Sequence, residues 1–244
     1  MTLLKNIFGR FWALWGLLSF LVTFLIIFIP SMASHLMKDP KGQKYFITVS
    51  KIWMRVWLFL IGCPVKVSGN ENFKSNTAYI IVFNHNALLD VPLSAPFVPG
   101  ANKTIAKTSF AKIPLFCSFY KRGSVLVDRK NEKSRSKSFD TMKKVLSNGI
   151  HMCIYPEGAR NRTTEALQSF YDGAFRLAVA TKKDIMPCII IGTKKAMPIN
   201  KKFFLLPIKL KMHFLPPVSS IEITVAHLKE KVFNTMLKEY LRQV

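Results

Sequence analysis

The sequence predicts an α/β fold: a layered domain with a mixed, largely parallel sheet flanked by helices, preceded by two N-terminal helices. Three observations predict it. After Gly62, short β-branched and apolar runs alternate with helical stretches, the pattern that builds a layered α/β sheet. Residues 11–29 carry no charge, and as a helix they would extend about 29 Å against a hydrocarbon core of roughly 30 Å. A chain of 244 residues accommodates one such domain and an appended segment. The expected division is a membrane-associated helical segment, residues 1–62, and an α/β domain, residues 63–244.

The first helix follows Lys5 and Arg10 and carries Trp12 and Trp15 near one boundary, where indoles favour a membrane interface. Ser31-Met32-Ala33 is a small-x-small tripeptide of the kind that ends a signal peptide. The apolar run before it is longer than the roughly 7 to 15 residues usual there. In residues 45–63, Lys51 and Arg55 share one helical face and Trp53 and Trp57 lie roughly opposite. That layout reads as an interfacial helix, cations toward headgroups and aromatics toward acyl chains; the other reading is an amphipathic helix packed on its own domain. Strands are expected at residues 65–68, 77–83, 104–106, 124–127, 150–155, 186–191 and 209–214, and helices at 91–97, 132–147, 173–181 and 228–241.

Composition narrows the partners. The net charge of +23 calls for a polyanion, either an anionic membrane surface or nucleic acid. The apolar N-terminus favours the membrane, and no nucleic-acid partner is expected. Cys63, Cys117, Cys153 and Cys188 lack Cys-x-x-Cys spacing and read as reduced thiols facing the cytoplasm. The histidines are not grouped as metal ligands, so no metal is expected. No dinucleotide or P-loop glycine motif is present.

Polar islands at strand ends carry the chemistry. Asn84-His85-Asn86-Ala87-Leu88-Leu89-Asp90 follows one apolar run, and Tyr155-Pro156-Glu157-Gly158-Ala159-Arg160 follows another. On one regular helix, five residues turn through about 500°, leaving His85 and Asp90 roughly 140° apart. They meet only across a turn, with a helix opening near Asp90 and Pro92 in its first turn. In open sheets, ligands bind beyond the carboxyl ends of strands, which is where both islands fall.

Four blocks in order resemble the glycerolipid acyltransferases, the lysophosphatidic acid (1-acylglycerol-3-phosphate) acyltransferase family in particular. They are Asn84-His85-x-x-x-x-Asp90; Lys107-Thr108-Ser109-Phe110-Ala111-Lys112-Ile113-Pro114-Leu115-Phe116, continuing to Gly123-Ser124-Val125-Leu126-Val127-Asp128-Arg129; Tyr155-Pro156-Glu157-Gly158-Ala159-Arg160-Asn161; and the weaker Ile185-Met186-Pro187-Cys188-Ile189. Two positions depart from the family pattern. Ala159 stands where the family usually has Thr, and an acidic Asp172 precedes Gly173-Ala174 where basic residues are common.

The resemblance implies transfer of an acyl group from a thioester, acyl-CoA or acyl carrier protein, to the hydroxyl of 1-acylglycerol-3-phosphate, giving phosphatidic acid in phospholipid biosynthesis. No cofactor is implied beyond the donor substrate. The expected location is the membrane, with the catalytic domain facing the cytoplasm and two N-terminal helices docking it on one leaflet. A hydroxyl needs a base as it attacks, and histidine suits that task. His85 is the candidate base and Asp90 the group that fixes its tautomer; no Gly-x-Ser-x-Gly elbow offers a covalent route.

An acceptor phosphate needs cations and backbone N–H groups, and arginine matches its geometry. Arg129 and Arg160 each follow a strand, Gly158 allows close backbone approach, and Lys107 serves the phosphate or the donor's anionic groups. The resemblance assigns acceptor phosphate to the arginine of the Glu157-Gly158-Ala159-Arg160 block and a positioning role to its glutamate. Asn84, beside the histidine, is counted with the substrate-binding residues. Structural alternatives are ion pairs of Arg160 with Glu157 and of Arg129 with Asp128 or Glu132. Two further readings stay open: another acceptor, such as lyso-ornithine lipid, and a non-catalytic basic lipid-binding protein.

Overall fold

The computed structural model describes residues 2–128 and 130–243. Two helices come first, α1 (Thr2–Met32) and α2 (Lys41–Leu60). With 31 residues, α1 extends about 46 Å at ~1.5 Å per residue. The helices run antiparallel, and indole N–H groups tie them together. Trp12 donates to the carbonyl of Ile61 at 2.9 Å and Trp15 to that of Leu60 at 2.9 Å. In return Trp57 donates to the carbonyl of Gly16 at 3.0 Å and Trp53 to Thr23 Oγ1 at 2.9 Å.

The aromatic face of α2 expected to meet acyl chains is therefore a packing face. Trp53 and Trp57 are buried, with Phe20 of α1 against both rings. An indole carries a polar N–H that seeks a partner once buried, and α1 supplies a carbonyl and a hydroxyl where lipid tails supply none. The apolar side chains that α2 leaves exposed are Ile52, Val56 and Phe59.

Among the described residues the sheet has seven strands: β1 (Val65–Ser68), β2 (Ile80–Phe83), β3 (Asn102–Lys107), β4 (Ser124–Val127), β5 (His151–Ile154), β6 (Ile185–Ile191) and β7 (Leu210–Phe214). Their order is β1-β7-β6-β2-β5-β3-β4. Every neighbouring pair is parallel except β6 with β7. All seven expected strands are present. The central β2 is buried at every position, as a parallel strand covered on both faces must be.

The further helices are α3 (Asp90–Ser94), α4 (Phe116–Gly123), α5 (Glu132–Ser147), α6 (Gly173–Thr181), α7 (Thr193–Ala196) and α8 (Val225–Gln243). The helix expected at 91–97 ends early and passes into a 3-10 turn, Ala95–Phe97. Pro96 has no N–H to continue an α-helical ladder. The helices α4 and α7 were not expected.

Alternate residues of the strands point into two separate cores. Tyr79, Ile81 and Phe83 join Trp53, Trp57 and Phe24 on the α1–α2 side. Ile80 and Val82 join Leu146 of α5, Phe175 of α6 and Val232 of α8 on the other. The helical pair thus shares the core of one sheet face. Arg122 at the end of α4 secures that layer, reaching Asp39 Oδ1 at 2.7 Å and the carbonyl of Ser34 at 3.2 Å in the α1–α2 connection.

Candidate active site

β2 ends at Phe83, and the next residue determines how the chain leaves the sheet. Asn84 is fully buried, and its Oδ1 accepts from the N–H of Ile190 at 2.7 Å while its Nδ2 donates to the carbonyl of Ile190 at 2.9 Å. Its amide closes the gap between β2 and β6. Asn84 thus braces β2 against β6, and its side chain does not line the cavity beside His85.

The following loop turns back so that Asp90, opening α3, meets His85. Asp90 Oδ2 accepts from His85 Nδ1 at 2.9 Å and from the backbone N–H groups of Asn86 at 2.6 Å and Ala87 at 2.7 Å. Three donors on one oxygen fix the carboxylate, whose residue is fully buried. The imidazole is 16% exposed and lines a cavity. With Nδ1 on Asp90, Nε2 is the nitrogen left for a substrate proton.

Tyr155, just past β5, packs on that imidazole with ring centroids 4.4 Å apart and a 35° tilt. Its hydroxyl lies 2.6 Å from Ser94 Oγ, one helical turn beyond Asp90. Burial pushes the phenol well above its ordinary range, and the charge of Asp90 adds to the effect. The ring therefore stays neutral and fills one side of the histidine pocket.

Glu157 clamps the same residue through its backbone. Its Oε1 accepts from the N–H of His85 at 2.7 Å, and its Oε2 accepts from Gln168 at 3.2 Å. The N–H of Asn161 donates to the carbonyl of His85 at 2.6 Å. Burial pushes the Glu157 carboxyl up to about 7, opposed by the two backbone donors. Glu157 is buried and does not line the cavity. It ties the two loops together from outside the cavity lining.

The other expected cations divide. Arg160 is half-buried and lines the cavity, as do Gly158, with φ +71°, and Lys107 at the end of β3. Arg160 has no ion pair with Glu157 among the described residues. Arg129 lies outside the described residues. Sequence reasoning missed Arg162, which lines the same cavity and stands two residues beyond Arg160 in one loop. Ala159 also faces the cavity. Asp172 is removed from it, held by Lys229 at 2.7 Å and Arg176 at 3.6 Å.

The cavity, of about 650 Å³, runs from His85 and the basic side chains into an apolar channel between α1, α2 and α4. Phe20, Phe46, Trp53, Phe116 and Phe119 line that channel. A base with a fixed tautomer, flanked by cations at one end and an aromatic-walled channel at the other, suits a substrate with an anionic head and an apolar tail.

The chain is similar to several known proteins. A 1-acyl-sn-glycerol-3-phosphate acyltransferase of Cocos nucifera is 30% identical over 162 residues, 62% of this chain and 52% of that protein. One from Saccharomyces cerevisiae is 29% identical over 198 residues, 77% of this chain and 63% of its own length. The chain thus spans about half to just under two thirds of these relatives. The crystal structure of the 1-acyl-sn-glycerophosphate acyltransferase PlsC from Thermotoga maritima shares the fold, with a TM-score of 0.82, 24% identity and coverage of 98% of this chain and 97% of that one. A family model described as Acyltransferase matches residues 64–191, a stretch that is more than half of the chain and holds His85, Asp90, Glu157 and Arg160, and the protein belongs to that acyltransferase family.

Proposed function

We propose that the protein transfers a fatty acyl group from a thioester, acyl-CoA or acyl carrier protein, to the free hydroxyl of 1-acylglycerol-3-phosphate, giving phosphatidic acid. The observation that carries this reading is the 2.9 Å pair of His85 Nδ1 and the buried Asp90 Oδ2, whose imidazole lines one cavity with Arg160. The names of the curated relatives point to the same acceptor.

In this reading His85 Nε2 takes the hydroxyl proton as the oxygen attacks the thioester carbon. Asp90 holds the tautomer and stabilises the imidazolium that forms. The carbon–oxygen bond forms, the carbon–sulfur bond breaks, and the proton passes from His85 to the departing thiolate. The substrate hydroxyl stands where a protease uses serine, so no acyl-enzyme forms. Arg160 binds the acceptor phosphate, with Lys107 and Arg162 on the same wall and Gly158 allowing close approach. The apolar channel takes an acyl chain. Asn84 and Glu157 serve by holding the loops.

The N-terminal segment docks this machinery on one leaflet, the catalytic domain facing the cytoplasm. Leu3–Leu36 is long and apolar enough to cross a membrane, and side chains such as Val22, Leu25, Ile26 and Ile29 are exposed. Yet α1 contacts the domain from Gly9, whose carbonyl accepts from Leu205 at 3.0 Å, and the turn that follows it is held at Ser34 by Arg122. A helix attached along its length fits immersion beside the domain better than a free crossing.

Asp172 lies outside the cavity in its own ion pairs, so it does not argue for a different acceptor. Release of free thiol on mixing a thioester donor with a panel of lysolipids tests the reading. The highest kcat/KM is expected for 1-acylglycerol-3-phosphate. No thiol release with any acceptor would favour a non-catalytic lipid-binding protein instead.

A further inference from the structure

A second concavity lies on the other side of α2 from the His85 cavity. Its volume is about 390 Å³, and Lys51, Arg55 and Phe59 of α2 form one wall, with Val67 and Asn70 of the β1 region opposite. Lys51 and Arg55 stand one turn apart on the same helical face. Like charges at that spacing destabilise a helix unless an anion sits between them. No acidic side chain among the described residues lines the groove. Among the described residues neither side chain has a hydrogen bond or ion pair.

The surroundings indicate which anion fits. Ile52, Val56 and Phe59 are 59%, 48% and 78% exposed on the same helix. An apolar stripe beside an unneutralised cation pair is the chemistry of a phospholipid: phosphate on the charges, acyl chains along the stripe. A free phosphate would use only the first half of that surface.

We infer that the groove between α2 and β1 is a second lipid site, which binds the headgroup of an anionic membrane phospholipid through Lys51 and Arg55. It is separate from the acceptor site, since the α2 residues lining the His85 cavity are Trp53, Met54 and Trp57 among others, and Lys51 and Arg55 are not. Bound lipid here fixes the face of α2 that rests on the leaflet.

The full chain in neutral detergent is titrated with dioctanoyl phosphatidylglycerol, dioctanoyl phosphatidylcholine and inorganic phosphate. Arg160→Ala runs in parallel, to separate binding in the His85 cavity. The expected result is saturable binding of phosphatidylglycerol by the parent and by Arg160→Ala alike. It weakens about tenfold in Lys51→Gln/Arg55→Gln, with thiol-release activity in detergent unchanged. Arg55→Gln alone, an exposed side chain, gives a smaller loss and carries the test should the pair fail to fold. Equal affinity in parent and variants, equal binding of phosphatidylcholine, or full displacement by inorganic phosphate at matched concentration would each overturn the proposal.

Discussion

The backbone N–H of His85 donates to Glu157 Oε1 at 2.7 Å, so two loops 72 residues apart in sequence are joined at the residue that holds the candidate base. The contact explains how a carboxylate can matter to the site without lining its cavity. Glu157→Ala leaves two N–H groups, those of His85 and Gln168, without their acceptor. Each loss of a buried partner costs about 1–3 kcal/mol. The expected result is a lower melting temperature together with reduced kcat, as the imidazole loses its fixed position, while KM for the acceptor changes little. Steady-state kinetics beside thermal unfolding separate this from a substrate-binding role, which would raise KM first.

Asn84 gives the complementary result. Its amide pairs with both backbone groups of Ile190, so Asn84→Ala strands an N–H and a carbonyl in the centre of the sheet. Stability should fall by about 1–3 kcal/mol for each group left unpaired. Acceptor KM in the surviving folded enzyme should stay near the parental value, and a rise in KM at unchanged stability would show that the amide faces substrate after all.

Tyr155 separates packing from hydrogen bonding. Tyr155→Phe keeps the ring 4.4 Å from His85 and loses only the 2.6 Å contact with Ser94. A cost of about 0.5–1.5 kcal/mol in stability is expected, with most activity retained. Tyr155→Ala opens a void beside the imidazole, and a buried aromatic truncated to alanine costs about 3–5 kcal/mol. Equal activity in the two variants would remove the ring from the account of how His85 is held.

Two buried groups oppose each other in acid. His151 is pushed down from 6.5 to about 4 by burial, and its Nδ1 accepts from the N–H of Tyr79 at 3.0 Å. Its contribution is fully present above 6.5 and is lost as pH falls toward 4. Glu157 is pushed up from 4.5 to about 7, so its contribution is fully present below 4.5 and is lost as pH rises through 7. Between those limits the two slopes oppose. His151→Asn, whose side-chain oxygen can still accept from Tyr79, should become more stable as pH falls from 7 toward 4.5. Glu157→Gln should become less stable over the same range. Melting temperatures across that range check both signs, and parallel pH profiles for the two variants would refute the pairing.

The sheet was legible because β-branched and apolar runs separated by turn residues encode strands directly, and all seven occur where the pattern puts them. The helix α4 was not, since Phe116-Cys117-Ser118-Phe119-Tyr120-Lys121-Arg122-Gly123 is short and rich in residues of modest helix propensity. Tertiary contacts form it: Phe119 packs on Phe46 and Trp53 of α2 and Phe24 of α1. The amphipathic pattern of α2 revealed two faces but not which one meets protein, and the indole N–H groups decide that by finding partners in α1. At the site, His85 and Asp90 were legible because their spacing excludes a helix and permits a turn. The bracing contact of Asn84 with Ile190 was not legible, because its place in the motif says nothing of where its amide points. Arg162 carried only one signal, a second arginine two positions after Arg160.

The most direct measurement is thiol release from an acyl thioester mixed with 1-acylglycerol-3-phosphate, comparing the parent with His85→Ala at matched melting temperature and membrane binding. A loss of about 10²–10⁴-fold in kcat or more is expected for removal of a general base, with Asp90→Asn also impaired through its hold on the tautomer. Thiol release by His85→Ala at the parental rate would contradict the assignment of the base.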